Sequence, residues 1–192
     1  MANILLMSPA YLKRNSLIDE NVDEGYITPV IEICQDQFVQ EILGTDLYNE
    51  IKGQIQTPPL SALNETLLNE KVLPAMRWWV LSKLVKPLTY KFGNMGVKQI
   101  ETENHVTPSI DELNFLVEEY MNRAEYYANA ATLYLIENSN DYPLYCNGND
   151  QIDEVKPRRN QYRSGIFLGG VHGKKRHDKW VDIDYGDRNN VI

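Results

Sequence analysis

Apolar residues recur every three or four positions over several long stretches of the chain, which is the spacing of helices that bury one face. The first stretch covers positions 29–43. Thr28 is placed to cap it, Pro29 to occupy its first turn and Gly44 to end it. Its inward stripe consists of Ile31, Cys34, Phe38 and Ile42. This pattern predicts a helix that turns sharply at Gly44.

A second helix is predicted immediately after this turn. Thr45 and Asp46 can cap it, and the Thr-Pro-Pro sequence at 57–59 stops it. Its inward stripe consists of Leu47, Tyr48, Ile51 and Ile55. The two helices should therefore form a tight corner.

A third helical stretch covers positions 64–90 and contains two prolines. Each interior proline removes one backbone hydrogen bond and clashes with the preceding turn. We therefore expect a kink at 70–74, just before Pro74, and a break or end near Pro87.

The following segment loses the helical spacing and regains it later. Glycines and alternating apolar residues near 93–106 indicate a turn or a small β-hairpin. Thr107 and Pro108 then mark the start of a long helix that continues to about Asn138. Its alanines, Ala124, Ala128 and Ala131, would let another helix approach closely.

The pattern as a whole predicts a mainly α protein, a compact helical bundle with one long C-terminal helix. We divide the chain into an N-terminal arm at 1–25, a helical body at 26–140 and an extended basic tail at 141–192. Short strands are predicted in the tail at 166–168 and 180–185. The tail has too few apolar residues to fold alone.

Composition and charge support this division. The chain has 192 residues, of which 43% are hydrophobic, so most of it can form a core. Its net charge of −8 combines −11 over residues 1–150 with +3 over residues 151–192. Eight basic residues in 156–179 are opposed only by Asp178. An acidic body thus carries a basic tail.

No stretch reaches the roughly 18 consecutive apolar residues of a membrane span. The apolar run at 4–7 has no basic residue before it and is too short for the core of a signal peptide. These features predict a soluble, unexported protein without a membrane partner.

The sequence contains no convincing motif for catalysis, phosphate binding or metal binding. The glycine-rich stretch at 169–175 fails as a phosphate-binding loop, because Leu168 replaces the first glycine and Lys175 replaces the Ser or Thr that meets magnesium. The histidines, the two cysteines and the aspartates at 182–187 lack the spacing of metal ligands. We therefore predict no catalytic, cofactor-binding or metal-binding residue, and a protein that is not an enzyme.

The basic tail interleaves positive and aromatic side chains, which leaves three interpretations open. It could bind a nucleic-acid backbone by charge and stacking. It could dock on an acidic protein surface, including the body of a neighbouring copy, or it could be a solvated tail. The candidate docking residues are Arg158, Arg159, Tyr162, Arg163, Phe167, Lys174, Lys175, Arg176, Lys179 and Trp180.

Part of the body resembles a known family. The sequences YITPVIEICQ at 26–35 and ILGTDLY at 42–48, followed by Ile51, resemble the first helices of the head–tail connector proteins of tailed bacteriophages. These are also called adaptor or head-completion proteins, and the likeness is greatest to those of crAss-like and other Bacteroidetes phages. The segment from Leu67 to the Trp78-Trp79 pair also fits, and the resemblance covers roughly residues 26–138.

The resemblance implies a structural virion protein, made in the bacterial host cytoplasm and placed at the portal vertex. Such proteins form a homo-oligomeric ring, commonly a dodecamer, that extends the DNA channel beneath the portal. Downstream tail or ring proteins attach to it, and DNA passes through without sequence-specific binding. In that family the C-terminal segment commonly engages the portal or the adjacent subunit.

We interpret the tail residues from Arg158 to Trp180 as the portal or inter-subunit docking segment. An acidic body would also keep the channel from gripping DNA. The alternative is a nucleic-acid-binding accessory protein that uses the same tail.

Overall fold

The computed structural model describes residues 4–94, 96–99, 108–146 and 155–157, and helices dominate them. All of these residues belong to one unit, Met1–Gln161. The predicted mainly α fold is confirmed.

The chain begins with a short helix inside the predicted N-terminal arm. Helix α1, Pro9–Asn15, is capped by Ser8, whose side chain accepts a hydrogen bond from the backbone N–H of Tyr11. The apolar side chains of this segment, Leu6, Met7 and Leu12, are buried in the same core as the rest of the body. The described part of the arm thus adds to the body's core.

Helix α2, Glu24–Cys34, begins earlier than the sequence predicted. Asp23 caps it, because its carboxylate accepts a hydrogen bond from the backbone N–H of Gly25 at 2.8 Å. The prediction that Thr28 caps the helix and Pro29 opens it is therefore wrong. Pro29 lies inside the helix, on its exposed side.

A π-helical segment, Gln35–Val39, joins α2 to α3, Gln40–Leu43. Helix α4, Thr45–Gln56, follows directly. Gly44 separates α3 from α4 with φ of 77° and ψ of 159°, a conformation that only glycine adopts readily. The predicted corner at Gly44 is confirmed.

The third helical stretch consists of three consecutive segments. They are α5, Ala62–Thr66, a π-helical segment, Leu67–Val72, and α6, Leu73–Thr89. Pro74 follows the π-helical turns directly, where the wider turn accommodates a residue without an N–H. Helix α6 ends at Thr89, two residues after Pro87, so the predicted end near Pro87 is confirmed.

A β-hairpin follows α6. Strand β1, Tyr90–Gly93, pairs antiparallel with β2, Gly96–Gln99, so that Gly93 lies opposite Gly96. The hairpin begins three residues before the predicted region of 93–106. Residues 95 and 100–106 of that region lie outside the described residues.

The long helix α7, Ile110–Glu137, is about 42 Å in length. It begins two residues after Pro108, because Ser109 and Glu112 form a capping box. In this box the side chain of each residue accepts a hydrogen bond from the backbone N–H of the other. A short helix α8, Pro143–Cys146, follows.

Helix α6 packs against both α2 and α7, and this layer forms the centre of the core. Ala124 and Ala131 on α7 are fully buried, as expected for small residues at a close helix contact. Tyr142 and Tyr145 are also buried, and the Tyr142 hydroxyl donates to the Leu63 carbonyl at 2.9 Å. The packed part of the chain therefore extends beyond residue 140.

Candidate docking surfaces

The docking residues predicted in the tail lie outside the described residues. This holds for Arg158, Arg159, Tyr162, Arg163, Phe167, Lys174, Lys175, Arg176, Lys179 and Trp180. The strands predicted at 166–168 and 180–185 lie outside them as well. The structure does describe residues 155–157, from which this segment continues.

Residues 155–157 are held at the corner between α3 and α4. The backbone N–H of Thr45 donates to the Val155 carbonyl at 2.9 Å, and the Val155 N–H donates to the Thr45 hydroxyl at 2.8 Å. Gln40 also donates to this hydroxyl, at 3.0 Å. Thr45 was predicted to cap α4, but its side chain makes no capping hydrogen bond there and instead holds Val155.

Gly44 completes this contact, which we call the tail anchor and define as Gly44, Thr45, Val155 and Pro157. A Cβ atom on Gly44 would lie 2.7 Å from Cδ of Pro157. The absence of a side chain at Gly44 therefore lets Pro157 approach the corner. The anchor holds residues 155–157, which directly precede the basic docking residues in the sequence, at the corner between α3 and α4.

The second candidate surface lies on α7. Phe115, Tyr126 and Leu133 are 70%, 71% and 49% exposed. Their spacings of 11 and 7 residues place them within about 20° of one line along the helix. Four of the five buried residues of α7 lie on the opposite side, namely Leu113, Ala124, Ala131 and Leu135. We call this exposed line the outer face of α7.

The charges of α7 are almost all negative. The helix carries six carboxylates against the single Arg123, which forms an ion pair with Glu119 one turn away. The carboxylates belong to Asp111, Glu112, Glu118, Glu119, Glu125 and Glu137. The outer face is thus an apolar line on an acidic helix.

A contrasting surface lies on α2, α6 and β1. Helix α6 contains no carboxylate, and its exposed Lys83 places its ammonium group 5.4 Å from the ring centre of Phe38. The exposed Lys91 lies 5.5 Å from the ring centre of Tyr26. We call this the lysine face. It consists of Tyr26, Ile33, Lys83, Lys86 and Lys91, all of which are exposed.

The described residues offer little for catalysis. Burial raises the pKa of the Cys34 thiol to about 12, so this cysteine stays protonated and behaves as a small buried apolar residue. No cluster of three or more His, Cys, Asp or Glu that could hold a metal ion occurs in the part of the chain that the structure describes. Within the same residues, no helix is both long and apolar enough to cross a bilayer.

Sequence reasoning missed the outer face and the tail anchor. The spacing of Phe115, Tyr126 and Leu133 on the side of α7 opposite the predicted core was a usable signal. The sequence was interpreted only for the inward side of this helix, through Ala124, Ala128 and Ala131. Nothing local in the sequence pairs Thr45 with a residue 110 positions away.

Comparison with known proteins gives a family but no activity. No curated protein and no solved structure matches the chain. A family model, described as a family of unknown function (DUF6712), matches residues 39–154, which is more than half of the chain. The match begins at the end of the first π-helical segment and stops one residue before Val155. The chain therefore belongs to the DUF6712 family, whose function is unknown.

Proposed function

We propose that this chain is a structural virion protein whose copies form a ring between the portal and the tail of a bacteriophage. The ring would extend the DNA channel at the portal vertex. The resemblance of residues 26–138 to head–tail connector proteins motivates this proposal.

The observation that carries the proposal is that α7 is apolar on two opposite sides. Its own fold covers one side, whereas Phe115, Tyr126 and Leu133 leave a line about 27 Å long exposed on the other. These three large side chains, with the polar Asn122 between Phe115 and Tyr126, give a neighbouring protein apolar surface to bury. An assembly component requires such a surface.

The basic segment that continues from the tail anchor has the role of docking on the portal or a neighbouring subunit. Reversing three of its charges in the full chain, with Lys174→Glu, Lys175→Glu and Arg176→Glu, tests this role. Wild type should migrate with purified portal rings of the same virus in a density gradient, and the triple variant should not. If wild type fails to migrate with the portal rings, the proposed function is wrong.

A DNA-binding accessory protein is the competing function. It predicts DNA affinity that falls steeply as salt rises, because lysines and arginines displace counterions from the phosphates. The ring proposal predicts little affinity for DNA at any salt concentration. Titration of labelled duplex DNA with the full chain separates the two.

A further inference from the structure

We propose that the outer face of α7 in one copy docks on the lysine face of a second copy in a head-to-tail contact. The choice of a second copy as the occupant rests on the proposed ring. Both surfaces lie within the described residues, and among these residues none covers either surface.

Charge complementarity is the first argument. Helix α7 carries a net charge of −5, whereas α6 contains Arg77, Lys83 and Lys86 and no carboxylate. Lys91 adds a further positive charge beside α6. Two outer faces of α7 would repel each other, whereas an outer face and a lysine face attract.

Apolar contact is the second argument. The outer face offers Phe115, Tyr126 and Leu133, and the lysine face offers Tyr26 and Ile33. On the outer face the surrounding charges are mostly negative, whereas the positive charges of the lysine face come from α6 and β1, and α2 itself contributes Glu24 and Glu32. Apolar burial can supply affinity, and the surrounding charges can select the partner and fix the register.

The placement of the surfaces is the third argument. Helices α2 and α7 both pack against α6, so different elements of one body carry the two surfaces. One copy can therefore offer both surfaces at the same time. A contact between two different surfaces leaves one of each free and continues from copy to copy, and it closes into a ring when the rotation permits.

Sedimentation of the full chain tests this contact with two double variants. The outer-face variant is Phe115→Arg with Tyr126→Arg, and the lysine-face variant is Lys83→Glu with Lys86→Glu. Both alter exposed side chains, and circular dichroism checks that each variant folds. Asn114→Arg, which adds a charge at an exposed position of α7 away from the outer face, is the matched control.

Wild type and Asn114→Arg should self-associate, and each double variant alone should associate at least about 10-fold more weakly. An equal mixture of the two double variants should form 1:1 dimers that do not grow, because each supplies the surface that the other lacks. The head-to-tail contact is wrong if wild type remains monomeric, if only one double variant loses association, or if the mixture stays monomeric.

Portal binding, measured on the same samples in the gradient, separates this inference from the proposed function. If the two double variants form dimers with each other but wild type does not bind portal rings, the proposed portal binding is wrong and the head-to-tail contact stands. If wild type binds portal rings but the two double variants do not form dimers with each other, the head-to-tail contact is wrong and the proposed portal binding stands.

Discussion

Thr45 and Val155 exchange two hydrogen bonds across 110 positions of the chain, and this exchange holds residues 155–157 at the corner between α3 and α4. Thr45 supplies both a backbone N–H and a hydroxyl acceptor. Because the Thr45 hydroxyl accepts the hydrogen bond from the Val155 N–H, it does not cap α4.

Removing the Thr45 hydroxyl should loosen Val155. Thr45→Val keeps the shape of the side chain but removes the acceptor of the Val155 N–H. Hydrogen exchange of the Val155 amide should become about 3- to 10-fold faster, which corresponds to the loss of one ordinary hydrogen bond. Thr45→Ser retains the hydroxyl and should exchange at nearly the wild-type rate. Equal rates in wild type and Thr45→Val would show that this bond does not hold the segment.

Substituting alanine for Gly44, at the corner before α4, and for Gly53, within α4, should change the free energy of unfolding in opposite directions. Gly44→Ala places a Cβ at a φ of 77° and 2.7 Å from Pro157, so it should lower the free energy of unfolding by about 1–3 kcal/mol. Gly53 lies within α4 with open space where a Cβ would be, so Gly53→Ala should raise that free energy by about 0.5–1 kcal/mol. Urea denaturation measures both. A Gly44→Ala protein as stable as wild type would contradict the packing at the anchor.

Gln35 should be essential to the docking of the N-terminal segment. Its buried side chain accepts from the Leu6 N–H and donates to the Ile4 carbonyl, both at 3.1 Å. Gln35→Ala leaves the Leu6 N–H without this acceptor in the core and should cost about 1–3 kcal/mol. Gln37→Ala, at an exposed position of the same π-helical segment, should change stability by less than about 0.5 kcal/mol. Equal effects of the two substitutions in urea denaturation would refute this role.

The capping box of α7 should make stability depend on acid pH. Hydrogen bonds from the Ser109 backbone and hydroxyl lower the pKa of Glu112 below its ordinary value of 4.5. The carboxylate's contribution is therefore present above pH 4.5 and is lost as the pH falls through the lowered pKa of the folded state.

Glu112→Gln measures this contribution. The difference in unfolding free energy between wild type and this variant should be largest near neutral pH and should shrink as the pH falls below 4.5. Glu118→Gln removes the same charge outside the capping box and serves as the control. A difference between wild type and Glu112→Gln that stays constant across this pH range would contradict the assignment.

Local signals explain what could be predicted from the sequence. Thr107 and Pro108 locate the start of the long helix to within two residues, and Gly44 marks the corner, because both signals act within one or two turns of helix. The start of α2 was misplaced because Pro29 is a common first-turn residue, whereas the cap is Asp23, five positions before Thr28.

Contacts between distant positions could not be predicted in the same way. Gln35 binds backbone groups about 30 positions away, and Thr45 binds Val155, and neither pairing leaves a periodic trace in the sequence. The outer face of α7 is different, because its line of apolar residues can be found by following both sides of the helix instead of the inward side alone.

Native mass spectrometry of the full chain, alone and mixed with portal rings of the same virus, tests the central claim most directly. The account predicts assemblies of the chain alone that grow with concentration, and a complex with the portal in which the number of copies is fixed and matches the symmetry of the portal ring. A chain that stays monomeric and leaves the mass of the portal ring unchanged would contradict the account.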